Sequence, residues 1–309
     1  MSTANLVPET WGLTGDDARK TLARTGRLRL VRDAFKRLRA ADGFSHARSL
    51  AFAMGLVLMQ GIIAVVGLAS ALGKGPVSDG IVQTIRAAVP GPAGGLLTQA
   101  VDQAHRAGTS HRYLPLLVGL IGAIVTGCTV MGQLERGLNR LYGVEQDRAA
   151  RRKYGVALLL TLSAGLLAMV AFTAMAFGDS IGSALGDDLA ARVWHWSRWP
   201  LGLVLMTAAV ALLFRWSPRR RQPAWSWLAF GATVSVGLWA LATILLNLFF
   251  RTSSSFGQTY GPLAGIVALL LWSLLSCIAL LFGGAIGAQL EAVRAGASAP
   301  KHARKGSES

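Results

Sequence analysis

Between Thr252 and Leu290 the chain runs for 39 residues without an Asp, Glu, Lys or Arg. No water-soluble helix needs such a run. A bilayer core of about 30 Å takes roughly 20 apolar residues of helix. Leu263 to Ala288, inside this stretch, therefore reads as a membrane span, approached through the polar Gly257-Gln258-Thr259-Tyr260-Gly261.

Five further uncharged blocks qualify, giving spans at about 49–72, 114–134, 154–178, 199–214, 224–248 and 263–288. Only 15% of the residues are charged, against about 25% in soluble domains, and the deficit is concentrated in these blocks. The expected fold is all-α, a polytopic membrane protein of six transmembrane helices with amphipathic surface helices. The fourth block holds only 16 uncharged residues, so Arg198 and Arg215 must snorkel or that helix must be shielded. Cys128 and Cys277 both fall in apolar runs and read as small buried hydrophobes rather than a disulfide.

The remaining segments are short. Residues 1–26 lack periodicity, are broken by Pro8, Gly12 and Gly15, and are expected to be a disordered cytoplasmic N-terminus. Residues 27–47 form a basic amphipathic helix, with Leu28, Val31, Phe35 and Leu38 at helical spacing. It either lies in the interface of an anionic leaflet or packs, solvated, on a cytoplasmic loop. The six-helix domain occupies 48–290, and 291–309 reads as a disordered basic tail. The loop at 73–112 is expected to lie on the bilayer as short surface helices. With both termini inside, 24 of the 31 Lys and Arg fall on the cytoplasmic side, which fixes the orientation expected of a plasma-membrane protein. Trp194, Trp196 and Trp199 at one interface and Trp216, Trp225 and Trp227 at the other form aromatic belts. The net charge of +16 then calls for anionic membrane lipids at the inner leaflet as partners, and for no nucleic acid.

Catalytic motifs give little. Gly178-Asp179-Ser180-Ile181-Gly182, followed by Asp187, Asp188 and His195, imitates a hydrolase triad. A nucleophile elbow, however, needs a strand-to-helix turn on a sheet, and this stretch ends a membrane helix. Asp102, His105 and His111 match no zinc spacing. No catalytic residue, metal site or cofactor is expected. Polar residues inside spans are the better candidates for function, since hydrocarbon makes them costly unless paired or wetted. They are Gln60, Thr126, Thr129, Gln133, Asn247, Ser273 and Ser276, and their alternative use is interhelical hydrogen bonding. At the inner end of the second span, Gln133, Arg136 and Arg140 share a face beside Glu135 and Asn139. That face either seats an anionic head group or is a capped, solvated helix end. Gly283 and Gly287 make a small-xxx-small face suited to packing on the fifth span through Gly231 and Gly237.

Four segments, in order, resemble the YihY/BrkB family of bacterial inner-membrane proteins, once labelled ribonuclease BN. They are DGFSHARSLAFAMGLVL (42–58), LERGLNRLYGVEQDR (134–148) with Asn139 and Tyr142, WLAFGATVSVGLWALA (227–242), and TYGPLAGIVALLLW (259–272) with Tyr260, Gly261 and Gly265. The resemblance covers about residues 30–295. It implies six membrane helices in the inner membrane, and it permits handling or export of an envelope lipid. The family's Gly-Ala-Glu near the end of the sixth span is represented here by Gly283, Gly284 and Ala285, without the acid. Gln289 or Glu291 is the nearest replacement. The function expected is transport or translocation of an amphipathic or anionic envelope component. The alternative is a non-transporting scaffold or regulator of envelope integrity, and a membrane-bound ribonuclease is disfavoured.

Overall fold

The computed structural model describes residues 3–72, 91–92, 95, 99, 114–176, 188–253 and 263–300. Two shorter helices come first, α1 (Gly15–Thr25) and α2 (Arg27–Ala40). Six long ones follow: α3 (Gly43–Leu72), α4 (Leu114–Tyr142), α5 (Ala150–Ala176), α6 (Asp188–Trp216), α7 (Trp225–Thr252) and α8 (Leu263–Arg294). The chain is all-helical among the described residues, and it is a multi-pass membrane protein. In hydrocarbon a backbone must satisfy its own polar groups, and an uncharged run can do so only as a helix. At 27 to 32 residues the long helices reach about 40 to 48 Å. That exceeds the hydrocarbon thickness, so their charged ends stand outside it.

The six long helices alternate in direction. Each packs on the next in sequence, and α8 returns to α3, closing a ring; α8 also reaches across to α4. One end of the ring gathers residues 3–14 and 295–300, the α4–α5 loop and the α6–α7 turn, and is here called the basic end. There α8 is surrounded on every side: Gly283 to Ala292 are all buried. Leu134, Leu138 and Leu141 of α4, Phe214 of α6 and Trp227 of α7 pack about it. Among the described residues, burial falls toward the far end. Between Leu116 and Thr126 of α4 only Gly119 is buried, and Leu241, Ile244, Leu245 and Leu248 of α7 stand exposed, as side chains facing lipid do.

Three expectations are corrected. The N-terminal 26 residues are not disordered from residue 3 onward. Residues 3–14 run extended across the basic end, and α1 follows, opened by a capping box between Thr14 and Asp17. The segment lacks periodicity because its hydrogen bonds go to other elements, such as the Val7 amide to the Tyr142 carbonyl at 3.0 Å. The start of the tail is also ordered: α8 continues to Arg294, and Ala299 and Pro300 accept from Asn5. The short fourth block is part of a longer helix, α6, which begins at Asp188 and carries Pro200 within it. Arg198 is buried in that helix, and Arg215 donates to the carbonyls of Gln222 and Pro223 in the following turn. The loop at 73–112 lies almost wholly outside the described residues.

Candidate functional site

The polar side chains of the described residues concentrate at the basic end, in two adjoining networks. The first is built on α8 and the N-terminal segment. Glu291 is fully buried, and its carboxylate takes Arg220 Nη2 at 2.7 Å and Nη1 at 3.3 Å. The same carboxylate accepts the Thr10 hydroxyl at 2.6 Å and the Thr10 amide at 3.3 Å. The Arg220 guanidinium lies 4.4 Å over the Tyr142 ring, a cation–π contact in a desolvated place. Its side chain is 2% exposed.

Arg37 of α2 reaches the same region, and it is wholly enclosed. Its Nε donates to Gln289 Oε1 at 2.7 Å, and its Nη1 to the carbonyls of Asn5 and Leu141 at 3.0 and 3.1 Å. Gln289 passes the chain of bonds to the Ser298 carbonyl at 2.8 Å. No carboxylate pairs with Arg37 among these contacts. Burial pulls its pKa down to about 10, while Tyr142 raises it somewhat, so it stays cationic at neutral pH.

The second network fastens the two connections of the basic end to α4. Asn139 is fully buried; its amide donates to Asp147 at 3.2 Å, and its oxygen accepts the Arg219 backbone amide at 2.8 Å. Arg148 pairs with the buried Glu135 at 3.3 Å and donates to the carbonyls of Trp216, Ser217 and Pro218. Asp147 also meets Arg136 at 3.4 Å and Lys153 at 3.2 Å. Burial alone would raise its pKa; the Asn139 and Lys153 bonds outweigh that and hold the carboxyl below its usual range. Gly143 makes the turn after α4 with φ of +80°. A side chain there would also strike the Leu6 backbone, so glycine is required twice over.

Of the sequence candidates, Arg136, Asn139 and Arg140 are brought together here. Arg136 is engaged with Asp147 and Arg140 with the Glu145 carbonyl at 2.9 Å. Gln133 is half-buried farther along α4. Gln60 and Asn247 are half-buried within α3 and α7, away from the networks. Gln60 lies against Gly122 of α4, and its enclosed Oε1 has no hydrogen-bond partner. Thr126, Thr129 and Ser276 bond back to their own helix, as hydroxyls in helices do; the Ser273 hydroxyl is buried without a partner. Links across helices come instead from Trp272 to Thr243 at 3.1 Å and from Ser235 to the Leu280 carbonyl at 3.3 Å. Gly283 sits backbone to backbone with Gly231, where a Cβ would fall on the Ser235 hydroxyl. Gly287 faces the Tyr142 hydroxyl, a Cβ at Gly237 would meet nothing within 4 Å, and Gly265 is buried. Tyr260 and Gly261, Asp102, His105 and His111, and the segment 178–187 lie outside the described residues. Among the described residues no three of His, Cys, Asp and Glu are grouped to hold a metal.

Sequence reading missed Arg37, Arg148 and Arg220, and with them the pairing of Glu135 and of Glu291. A usable signal was present: Glu291 is the first charge after the 39-residue run, and an acid placed there needs a base.

Comparison with known proteins agrees with this architecture. The chain is 26% identical over 267 residues to the ribonuclease-like protein YfkH of Bacillus subtilis, covering 84% of this chain and 94% of that one. It is 24% identical to a UPF0761 membrane protein of Halorhodospira halophila, covering 87% of this chain and 63% of that one. A UPF0761 membrane protein of Methylibium petroleiphilum is 27% identical over 64% of this chain and 45% of its own length. The chain thus spans less than two thirds of these two membrane proteins. No solved structure matches it. The family model described as virulence factor BrkB matches residues 34–307, and with its ring of long apolar helices the chain belongs to the BrkB family of membrane proteins.

Proposed function

We propose that this protein moves an amphipathic or anionic envelope component across or out of a bacterial inner membrane, with the basic end toward the cytoplasm. One observation carries the reading: among the described residues the ring is closed by buried ion pairs and hydrogen bonds at one end, while toward the other α4 and α7 expose apolar side chains. A bundle whose only task was to be a rigid anchor would have no use for that asymmetry. In a translocator the closed end is a gate, and the faces beyond it admit an acyl chain. Gln60, a buried acceptor without a partner between α3 and α4, is the polar group placed to meet a head group on that route.

The test is the purified chain in liposomes with a fluorescent phospholipid and an impermeant quencher. Movement of the labelled lipid is expected, and Gln60→Leu is expected to change its rate while leaving the thermal transition in place. No movement, together with no lipid-dependent stabilisation across neutral and anionic lipids, would overturn the reading.

The rival reading is a scaffold that recruits partners through the N-terminal region. Residues 3–41 are built into the basic end, so deleting them would dismantle the closure as well as any docking surface. Reversing exposed charges on α2 separates the two: a scaffold loses its partners, and a translocator keeps its lipid movement. The ribonuclease-like name of YfkH belongs to that protein. For this chain it would require metal-dependent RNA cleavage by the pure protein.

A further inference from the structure

Helix α2 has two apolar faces, and only one is used inside the protein. Leu30, Ala34 and Leu38 are buried in the main core. Arg37, on the same side, ties the helix to Gln289 of α8 and to the Leu141 carbonyl of α4. These bonds fix the rotation of α2 about its axis. The second face is left outside: Leu28 is 88% exposed, Val31 48% and Phe35 43%, at spacings of three and four that set them in one stripe. Rotation cannot hide this stripe without breaking the Arg37 bonds.

The stripe leads into the membrane-facing surface of α3. Phe35 meets Phe44, in the first turn of α3, edge to face with ring centres 6.0 Å apart. Phe44, Arg48, Phe52 and Leu56 then follow at four-residue intervals, all exposed. Phe52 and Leu56 lie within the first span expected from the sequence, which sets Arg48 at head-group depth and the α2 stripe beside the same leaflet. Beside the stripe, Arg27, Arg29, Arg32, Lys36 and Arg39 are exposed on α2, and Asp33 is the single carboxylate among them. Apolar side chains flanked by excess cations suit an interface that is hydrocarbon on one side and anionic on the other.

We propose that α2 is an interfacial anchor for an anionic leaflet, with Leu28, Val31 and Phe35 dipped to the acyl boundary and its basic residues on lipid phosphates. The Arg37 bonds place this anchor directly on the closing network, so lipid charge is coupled to the basic end. The anchor does not rest on the transport reading, since a bundle that moved nothing would carry it too.

The test uses the full chain with Cys128 and Cys277 changed to Ala, in nanodiscs of phosphatidylcholine with or without about 30% phosphatidylglycerol. A fluorophore is placed at V31C or K36C, both exposed positions, and quenched by lipids carrying a nitroxide near the head group. In anionic discs the probe at position 31 is expected to be quenched about threefold more than at position 36. The difference should shrink in high salt and in the R32E/R39E variant. Equal quenching at both positions would overturn the proposal, as would quenching indifferent to phosphatidylglycerol. So would a probe at 31 that lipid does not reach and that a second protein chain shields in proportion to concentration. A loss of signal from misfolding is separated by the tryptophan-monitored thermal transition, which both labelled variants should retain.

Discussion

Removing the Glu291 carboxylate is the perturbation that most directly tests whether the basic end is held by buried charge. At 2.7 Å and an effective dielectric constant near 20, the Arg220–Glu291 attraction is about 6 kcal/mol before desolvation. Each ion gave up several kcal/mol of hydration to be there, so the intact pair nets little. Glu291→Ala is different. It leaves the Arg220 cation buried with only the Tyr142 face and the Pro8 carbonyl at 3.3 Å, and it strips Thr10 of its acceptor. The expected loss is about 3 to 5 kcal/mol. Glu291→Gln keeps an oxygen for one donor and should lose about half as much. Arg220→Met with Glu291→Leu removes both charges while keeping the volume, and should lie within about 1.5 kcal/mol of wild type.

The assay is reversible unfolding in micelles of rising dodecyl sulfate content, followed by tryptophan fluorescence, with all three variants and the wild type. Limited trypsin digestion adds a local readout. Freed of the Thr10–Glu291 bonds, residues 3–25 should be cleaved at Arg19 and Lys20 well before the bundle unfolds. The reasoning fails if Glu291→Ala lies within about 0.5 kcal/mol of wild type, or if the double variant is as unstable as the single one. The first outcome would mean that the pair is hydrated, and the second that volume rather than charge is what matters there.

Three further outcomes follow from the geometry. Gly283→Ala should destabilise by about 1 to 3 kcal/mol through overpacking against Ser235 and Gly231, whereas Gly237→Ala, with open space about it, should stay within about 0.5 kcal/mol in the same unfolding assay. Asn139→Ala should cost about 1 to 3 kcal/mol, because it orphans the Arg219 amide at a fully buried position and takes one donor from Asp147, which keeps Arg136 and Lys153; faster proteolysis within 143–148 and 217–223 would report it. Asp147 has a depressed pKa in the folded state, so protonation favours the unfolded chain. Its contribution is full above the unfolded value near 3.9 and is lost as pH falls through the folded one; thermal melting between about pH 5 and pH 2 should fall less steeply in Asp147→Asn than in wild type.

The spans were legible because a membrane helix announces itself by what it lacks, and a run such as Thr252–Leu290 has one solution in lipid. The order and direction of the helices followed from the same runs. The closing networks were not legible, for a reason of distance along the chain: Arg37 meets Gln289 across 252 residues, Thr10 meets Glu291 across 281, and no local period encodes either contact. The α2 face was half legible. Leu28, Val31, Phe35 and Leu38 look like one stripe on a wheel, yet Leu38 turns to the core with Leu30 and Ala34, while the other three stay outside. What divides the stripe is Arg37, whose long stem and bonds to Gln289 and Leu141 make it the pin that sets the helix rotation. The N-terminal segment was misread because an extended strap bonded to carbonyls of distant helices has neither apolar period nor turn signals of its own.

The distribution of polar bonds bears on how such a ring can move. Lipid gives helices no hydrophobic reason to associate, so cohesion must come from close packing and from polar contacts shielded from water. At the basic end both are present: the Gly231–Gly283 approach, the enclosed Arg37 and Glu291, and Asn139 joining two connections. Toward the far end the described contacts between helices are few and mostly apolar, with Trp272–Thr243 as the polar exception. Among the described residues, the polar contacts that resist separation of the helices are therefore concentrated where α8 is encased. If the protein moves lipid as proposed, a motion that parts the helices should begin at the far end and stop at the network around Glu291. The same network holds α2, so whatever binds the outer stripe of that helix acts on the one place where opening is costly.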